Sequence, residues 1–389
     1  MLFQKWTKRL FEWKSRPATC NAFFMRRKLR LAIRMFHARA TITLATITLA
    51  TIRLAAIRLA AIRPATISLA CIIVSFLASS SLADEPLRAG IIGCDTSHVP
   101  AFTKLLNAER SDSDPMAGVR VTAAFPGGSE DIASSRDRVA GFTQQLRELD
   151  VEIVSSIDEL LQRVDVVLLE SVDSRKHLEQ IRPVIEAGKP VFVDKPFAPT
   201  VAEAIEIFDL ANQYNVPIFS SSSLRYSPEI ATVNTDSSLG TVLGCDAYSP
   251  CLLEPTHQDL FWYGIHGVET LFTVMGPGCR EVSRSQTSST DVVTGIWEDG
   301  RIGRFRGTRS GKHAYGALVF GSESIEHRVG AGDYQRLVTE IVQFFKSGKS
   351  PVEASETLEI LAFMEAAEQS AANGGATVSI EQVLAAARR

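Results

Sequence analysis

Residues 88–98 read RAGIIGCDTSH. Gly90, Ile91 and Ile92 end a buried strand, and Gly93 opens a tight turn. Thr96 or Ser97 is placed to cap a helix that tolerates Pro100 in its first turn. A first strand that runs through a glycine turn into a helix is how a nucleotide-binding parallel sheet begins. The fingerprint for such a turn is G-x-G-x-x-G. Here the frame holds Gly93, Cys94, Asp95, Thr96, Ser97 and His98, so only the first glycine is present. Asp95 stands where bare backbone would meet a pyrophosphate, and His98 replaces the glycine that lets helix pack on strand. The architecture is signalled more firmly than the cofactor.

The rest of the chain extends that beginning. GVRVTAAF (118–125) alternates as a second strand and stops at Pro126-Gly127-Gly128-Ser129. Glu130 and Asp131 come late for a ribose contact, and Arg136 could meet a 2′-phosphate instead. VEIVSS, VDVVLLES (164–171), PVFVDKPFA and VPIFSSSSL read as further strands, with helical stretches between them. The near-continuous apolar runs suit strands covered on both faces. This alternation predicts a Rossmann-type, doubly wound parallel α/β domain over residues 84–225. After Arg225 the pattern changes. A helix containing HGVETLFTVMG is followed by alternating strands with a hairpin signal at Glu298-Asp299-Gly300. That predicts a second, α+β domain over 226–389 with a mainly antiparallel sheet.

Residues 1–83 read as a leader. They hold 14 Lys and Arg against Glu12 alone, which leaves 27 basic and 43 acidic residues, a balance of −16, in the remainder. A body that acidic repels phosphate, so nucleic acid is not an expected partner. Ala65–Ala83 carries no charge, and Ser81-Leu82-Ala83 before Asp84 fits a small-x-small cleavage site. The chain is therefore expected to be exported to the periplasm. The alternative is an uncleaved leader that anchors it in the membrane. Residues 41–70 repeat every five residues without building an amphipathic face, and read as low complexity. Beyond the leader lie Cys94, Cys245, Cys251 and Cys279, whose spacing shows no zinc pattern. A Cys245–Cys251 disulfide is conceivable on export, with buried free thiols as the other reading.

Several segments together resemble one family. They are GIIG near the start of the body, a buried strand followed by His177, AGKPVFVDKPFA, SSSLRYSPEI and FWYGIHGVE. The chain resembles the glucose–fructose oxidoreductase, inositol dehydrogenase and MocA (Gfo/Idh/MocA) family over about residues 87–389. AGKPVFVDKP is similar to that family's A-G-K-x-V-x-x-E-K-P, with Asp194 for Glu. The resemblance implies NAD or NADP as cofactor, and a sugar, polyol or related substrate between the two domains. It also departs from the family. T-P-N-x-x-H keeps only His177, and D-x-x-x-H keeps His266 while Trp262 replaces its aspartate.

Lys195 and His266 are the catalytic candidates. The lysine follows a buried strand and so projects at the ligand-binding edge of the sheet; the imidazole can exchange a hydroxyl proton near neutral pH. Gly93, Asp95, Thr96, Ser97, His98, Ser171, His177, Asp194 and Lys195 are candidates for cofactor contact. Arg225, Tyr226, His257, Trp262 and Tyr263 are candidates for substrate contact, the aromatic rings as stacking surfaces for a sugar. Glu254 and Asp259 share the irregular loop that carries His257. No metal is expected, because His257, His266 and a carboxylate lack a diagnostic spacing. These residues predict an oxidoreductase that transfers hydride. A carbohydrate-binding protein without cofactor, and a lyase or isomerase using His257 and His266, are the rival readings. Association of copies through the C-terminal sheet is also expected.

Overall fold

The computed structural model describes residues 85–389; the leader, its cleavage site and its repeats lie outside the described residues. The described chain begins β1 (Leu87–Ile92), α1 (His98–Asn107), β2 (Val119–Phe125), α2 (Ala133–Glu148), β3 (Glu152–Ile153) and α3 (Ile157–Leu161). It continues β4 (Val166–Leu169), α4 (His177–Glu186), β5 (Val191–Val193), α5 (Val201–Tyr214) and β6 (Ile218–Ser220). The six strands form one parallel sheet in the order β3-β2-β1-β4-β5-β6. Side chains alternate faces along a strand. Val166 and Leu168 accordingly enter one core, and Val167 and Leu169 the other. This is the doubly wound Rossmann-type domain expected from the apolar runs.

The second half holds α6 (Pro228–Ala231), β7 (Val242–Pro250), α7 (Ile265–Met275), β8 (Cys279–Gln286), β9 (Thr290–Trp297), β10 (Ile302–Thr308), β11 (Tyr315–Gly321) and β12 (Ile325–Gly330). It ends with α8 (Tyr334–Ser347), α9 (Ala354–Ala372), β13 (Val378–Ser379) and α10 (Ile380–Ala387). The seven strands order as β12-β11-β7-β10-β9-β8-β13. All neighbours are antiparallel except β7 and β10, which run parallel. Helix α7 lies close on this sheet: a Cβ at Gly267 would come within 2.2 Å of the Phe305 ring. That contact sets the height of His266, its neighbour, above the strands.

Helix α8 departs from a simple two-domain division. Leu337, Val338, Ile341, Val342, Phe344 and Phe345 fill the first sheet's core with Phe192 and Phe219, not the second. Tyr334 is thereby delivered to the cleft beside α1. Cys94, Cys245, Cys251 and Cys279 are free and buried, so the Cys245–Cys251 disulfide is not formed. Burial pushes the Cys94, Cys251 and Cys279 thiols up to about 12. No described helix is long and apolar enough to cross a membrane.

Candidate active site

A cavity of about 680 Å³ lies at the carboxyl edge of the parallel sheet, between it and the second domain. Lys195 enters from the end of β5 and His266 from the first turn of α7. Thr96, Ser97 and His98 contribute the start of α1, while Trp262, Tyr263 and Tyr334 supply aromatic walls. The fold thus brings together two catalytic candidates that lie 71 positions apart in the sequence.

His266 is held by a hydroxyl. Its Nδ1 lies 2.9 Å from Ser222 Oγ, and no described residue bonds its Nε2. The Tyr263 and Tyr315 rings meet it edge-on at 5.5 and 6.1 Å. Burial first, then the charges of Lys195 and His98, hold its pKa well below the ordinary imidazole value, against an opposing pull from Asp194. The ring is therefore neutral at neutral pH and able to take a proton. Glu269, one turn further along α7, accepts from Ser221 Oγ at 2.8 Å and from the Ser222 backbone at 3.1 Å, which fixes the Ser222 loop against the helix.

Asp194 and His98 form the floor. His98 Nδ1 donates to Asp194 Oδ2 at 2.8 Å, and the Lys195 backbone donates to Asp194 Oδ1 at 2.8 Å. His98 stacks on Phe102 with centroids 5.0 Å apart and meets the edge of Tyr334. Burial disfavours the Asp194 carboxylate, yet His98 and Lys195 outweigh that and hold it well below the usual carboxylate range. Beside them lies Glu170, wholly buried at the end of β4, with neither carboxylate oxygen hydrogen-bonded. Burial, then Asp194, raise its pKa well above the ordinary value.

Other candidates lie elsewhere. Gly93 has φ of 88°, and a Cβ there would stand 2.3 Å from Ser171 Oγ, so this glycine answers to the β4 end and not to a ligand. Ser171 is buried behind the same turn. His177 is buried with its ring nitrogens 2.8 Å from Ser171 O and 3.0 Å from Phe197 O, which makes it a tie between loops. Arg225 does not border the cavity: it donates to Glu269 at 2.9 Å and to Glu356 at 2.6 Å. Tyr226 packs against the first domain's core instead. His257 is also off the cavity, with its Nε2 3.3 Å from Asp173 Oδ1 and its ring 5.0 Å from Trp262. Asp259 pairs with the buried Arg284 at 2.7 Å, while Glu254 does reach the cavity wall. Among the described residues, the ligand-type side chains brought together are His98, Glu170 and Asp194, and neither His257 nor His266 is with them.

Asp95 turns inward. It accepts from Ser135 Oγ at 2.6 Å and from the Val172 backbone at 2.9 Å, and it is wholly buried. Ser129 Oγ donates to Asp173 at 2.5 Å, and the Ser129 backbone to Ser135 Oγ at 2.8 Å. Arg175 bonds both Asp173 and Asp131. None of Asp95, Ser129, Ser135 and Asp173 lines the main cavity or a second one of about 380 Å³ beyond the end of β2. The charge of Asp95 is thus withdrawn from the turn it occupies. Ser134 Oγ is buried without a partner at the wall of the main cavity, where Arg138, Thr96 and Ser97 also lie. A cation, hydroxyls and a helix start suit an anionic group, so these residues fit a nicotinamide dinucleotide without the usual glycine cradle.

Residues 87–222 match the oxidoreductase family with an NAD-binding Rossmann fold, Gfo/Idh/MocA. Through that domain the chain is similar to the Gfo/Idh/MocA family. It is 27% identical over 138 residues to the uncharacterized oxidoreductase YhhX of Escherichia coli, covering 32% of this chain and 40% of that one. An uncharacterized oxidoreductase of Schizosaccharomyces pombe is 33% identical over 85 residues, which span 21% of this chain and 23% of its own. The chain thus aligns with less than half the length of these curated relatives. Scyllo-inositol dehydrogenase from Lactobacillus casei, solved with NAD(H) and scyllo-inositol, superposes with a TM-score of 0.62 at 15% identity. That superposition covers 76% of this chain and 100% of the other, and at this identity the likeness is one of fold. Within the family frame, Ser222, Glu269 and Glu170 are site residues that motif reading does not single out.

Proposed function

We propose that this Gfo/Idh/MocA-like protein is an exported, nicotinamide-dependent oxidoreductase for a sugar, polyol or related small molecule. The observation that carries the reading is the meeting of Lys195 and a neutral His266 in one cavity, on opposite sides of the domain junction. When bound, the nicotinamide supplies the hydride acceptor or donor. The chain's own residues do the rest. Thr96, Ser97, Ser134 and Arg138 would hold the phosphates. Trp262 and Tyr263 offer apolar surface to a sugar ring. His266 Nε2 takes the carbinol proton, and Lys195 donates to the same oxygen and lowers the barrier to its release. Outside the cytoplasm free cofactor is scarce, which favours a cofactor held through turnover. Export itself rests on the apolar stretch and small-residue exit of the leader.

Burial of the residues between the two cavities favours a second reading, a carbohydrate-binding protein without cofactor. One assay separates the two. Purified protein is denatured and the supernatant tested for nicotinamide by enzymatic cycling, and cofactor binding to the folded protein is followed by calorimetry. Nicotinamide recovered near one per chain, or saturable binding of NAD(H), supports the oxidoreductase. Absence of both removes it.

A further inference from the structure

The cavity floor carries an arrangement that hydride transfer does not use. His98, Glu170 and Asp194 come from the start of α1 and the ends of β4 and β5. The strands concerned, β1, β4 and β5, are neighbours in the sheet. Backbone bonds hold the ends in line: Glu170 N donates to Ile92 O, and Asp194 N to Leu169 O, each at 2.8 Å. One ligand-type atom from each side chain lies within 4.8 Å of the other two. His98 Nδ1 is 2.8 Å from Asp194 Oδ2 and 3.8 Å from Glu170 Oε2.

Two features make this more than a cluster of polar groups. Glu170 is wholly buried and both its oxygens lack any partner. A buried carboxylate left so costs several kcal/mol unless a cation or proton meets it. Asp194 has one oxygen occupied by the Lys195 backbone, which orients the carboxylate and leaves Oδ2 toward His98 and Glu170. Supporting bonds of that kind are what orient metal ligands. Bonds of about 2.0–2.2 Å place neighbouring ligands roughly 3–3.5 Å apart, so the 2.8 and 3.8 Å separations bracket that spacing and the side chains would shift by a few tenths of an ångström to take an ion.

We propose that His98, Glu170 and Asp194 bind a divalent first-row metal ion, Mn²⁺ or Zn²⁺, at the floor of the cavity. One imidazole and two carboxylates are a donor set for such ions. On binding, the ion takes the Nδ1 lone pair of the neutral His98 ring, whose one proton then sits on Nε2, and the proton that burial keeps on Glu170 leaves to solvent. Three protein ligands leave a coordination position for water or a substrate oxygen. His98 lines the cavity, so the ion is reached from the same side as Lys195 and His266. The three ligands lie 72 and 24 positions apart in sequence, so no local spacing could announce them.

The site stands whether or not nicotinamide binds, and its test reads metal and not turnover. Protein freed of metal by chelator and dialysis is titrated with MnCl₂ and ZnCl₂ by calorimetry, and with CoCl₂ by visible absorption. One ion per chain is expected, with a cobalt d–d spectrum that shows nitrogen and oxygen ligation. Glu170→Gln, which keeps the side-chain volume, and His98→Ala should each weaken binding at least tenfold and change the cobalt spectrum. Far-UV circular dichroism checks that each variant is folded; if His98→Ala is not, Glu170→Gln decides. No binding by the wild-type protein at 1 mM ion (on the order of the weakest useful site), or equal binding by wild type and both folded variants, would overturn the proposal.

Discussion

Ser222 Oγ stands 2.9 Å from Nδ1 of His266, and Glu269 on the same helix as the histidine holds the Ser222 backbone. The hydroxyl therefore fixes the orientation of the ring, and as an acceptor from Nδ1–H it would leave Nε2 its lone pair. Ser222→Ala should lower kcat by roughly five- to tenfold, the value of one neutral hydrogen bond, with KM little changed. Ser222→Thr should restore most of the rate. Steady-state kinetics on a confirmed substrate check both, and a KM effect without a kcat effect would assign Ser222 to binding instead.

Burial and Lys195 hold His266 below its ordinary value. A base that is already deprotonated keeps working as pH falls, so the acidic limb of kcat/KM should lie below pH 6.5. Lys195→Met removes a neighbouring cation, makes protonation easier and should move that limb upward. The same depressed value has a stability sign. The unfolded chain binds a proton at His266 that the folded chain resists, so acidification from pH 6.5 downward should erode stability. His266→Phe should flatten part of that slope in urea unfolding measured against pH.

Asp95 is a structural residue in this fold. Its loss strands the Val172 backbone and the Ser135 hydroxyl inside the protein. Asp95→Ala should lower unfolding free energy by about 2–4 kcal/mol, read from urea denaturation with an unchanged m-value. The replacement Asp95→Gly should show a similar loss and no gain in NAD(H) affinity, because the carboxylate already faces away from the turn's exterior.

The second sheet leaves apolar side chains on its outer face. Leu243 is 54% exposed, Ile302 53%, Ile325 64% and Val329 57%, on β7, β10 and β12. Such a surface suits burial against another copy. Light scattering should report an oligomer, and Ile302→Lys with Val329→Lys should shift it toward monomer without loss of secondary structure. A monomeric wild type at micromolar concentration would exclude this face as an interface.

The leader reading has its own check. Protein recovered from an envelope fraction should begin at or close to Asp84 by N-terminal sequencing. An intact Met1 there would mean that the apolar stretch is retained.

Much of the frame was legible in the sequence, because period and punctuation are local properties. The strand runs, the glycine turn, Lys195 at a strand end and His266 at a helix start could all be read along the chain. Glu170 could not. It closes an apolar run where a charged residue ordinarily marks emergence into solvent, and only the neighbouring strand ends show that it stays inside. Ser222 and Glu269 escaped notice because their meeting spans 47 positions. Arg225 and His257 looked like site residues because the segments carrying them belong to the cleft region. Arg225 is instead paired with Glu269 and Glu356, and the His257 ring stands 3.3 Å from Asp173.

Helix α8 carries a consequence for how the chain matures. The core shared by Phe192 and Phe219 is completed by Leu337 through Phe345. A ribosome must therefore release most of the polypeptide before the first domain can close its interior. Until then that half offers a greasy, unfinished flank to whatever attends the nascent chain. Under the export proposed above, such delay would keep the chain open for passage through a translocation channel.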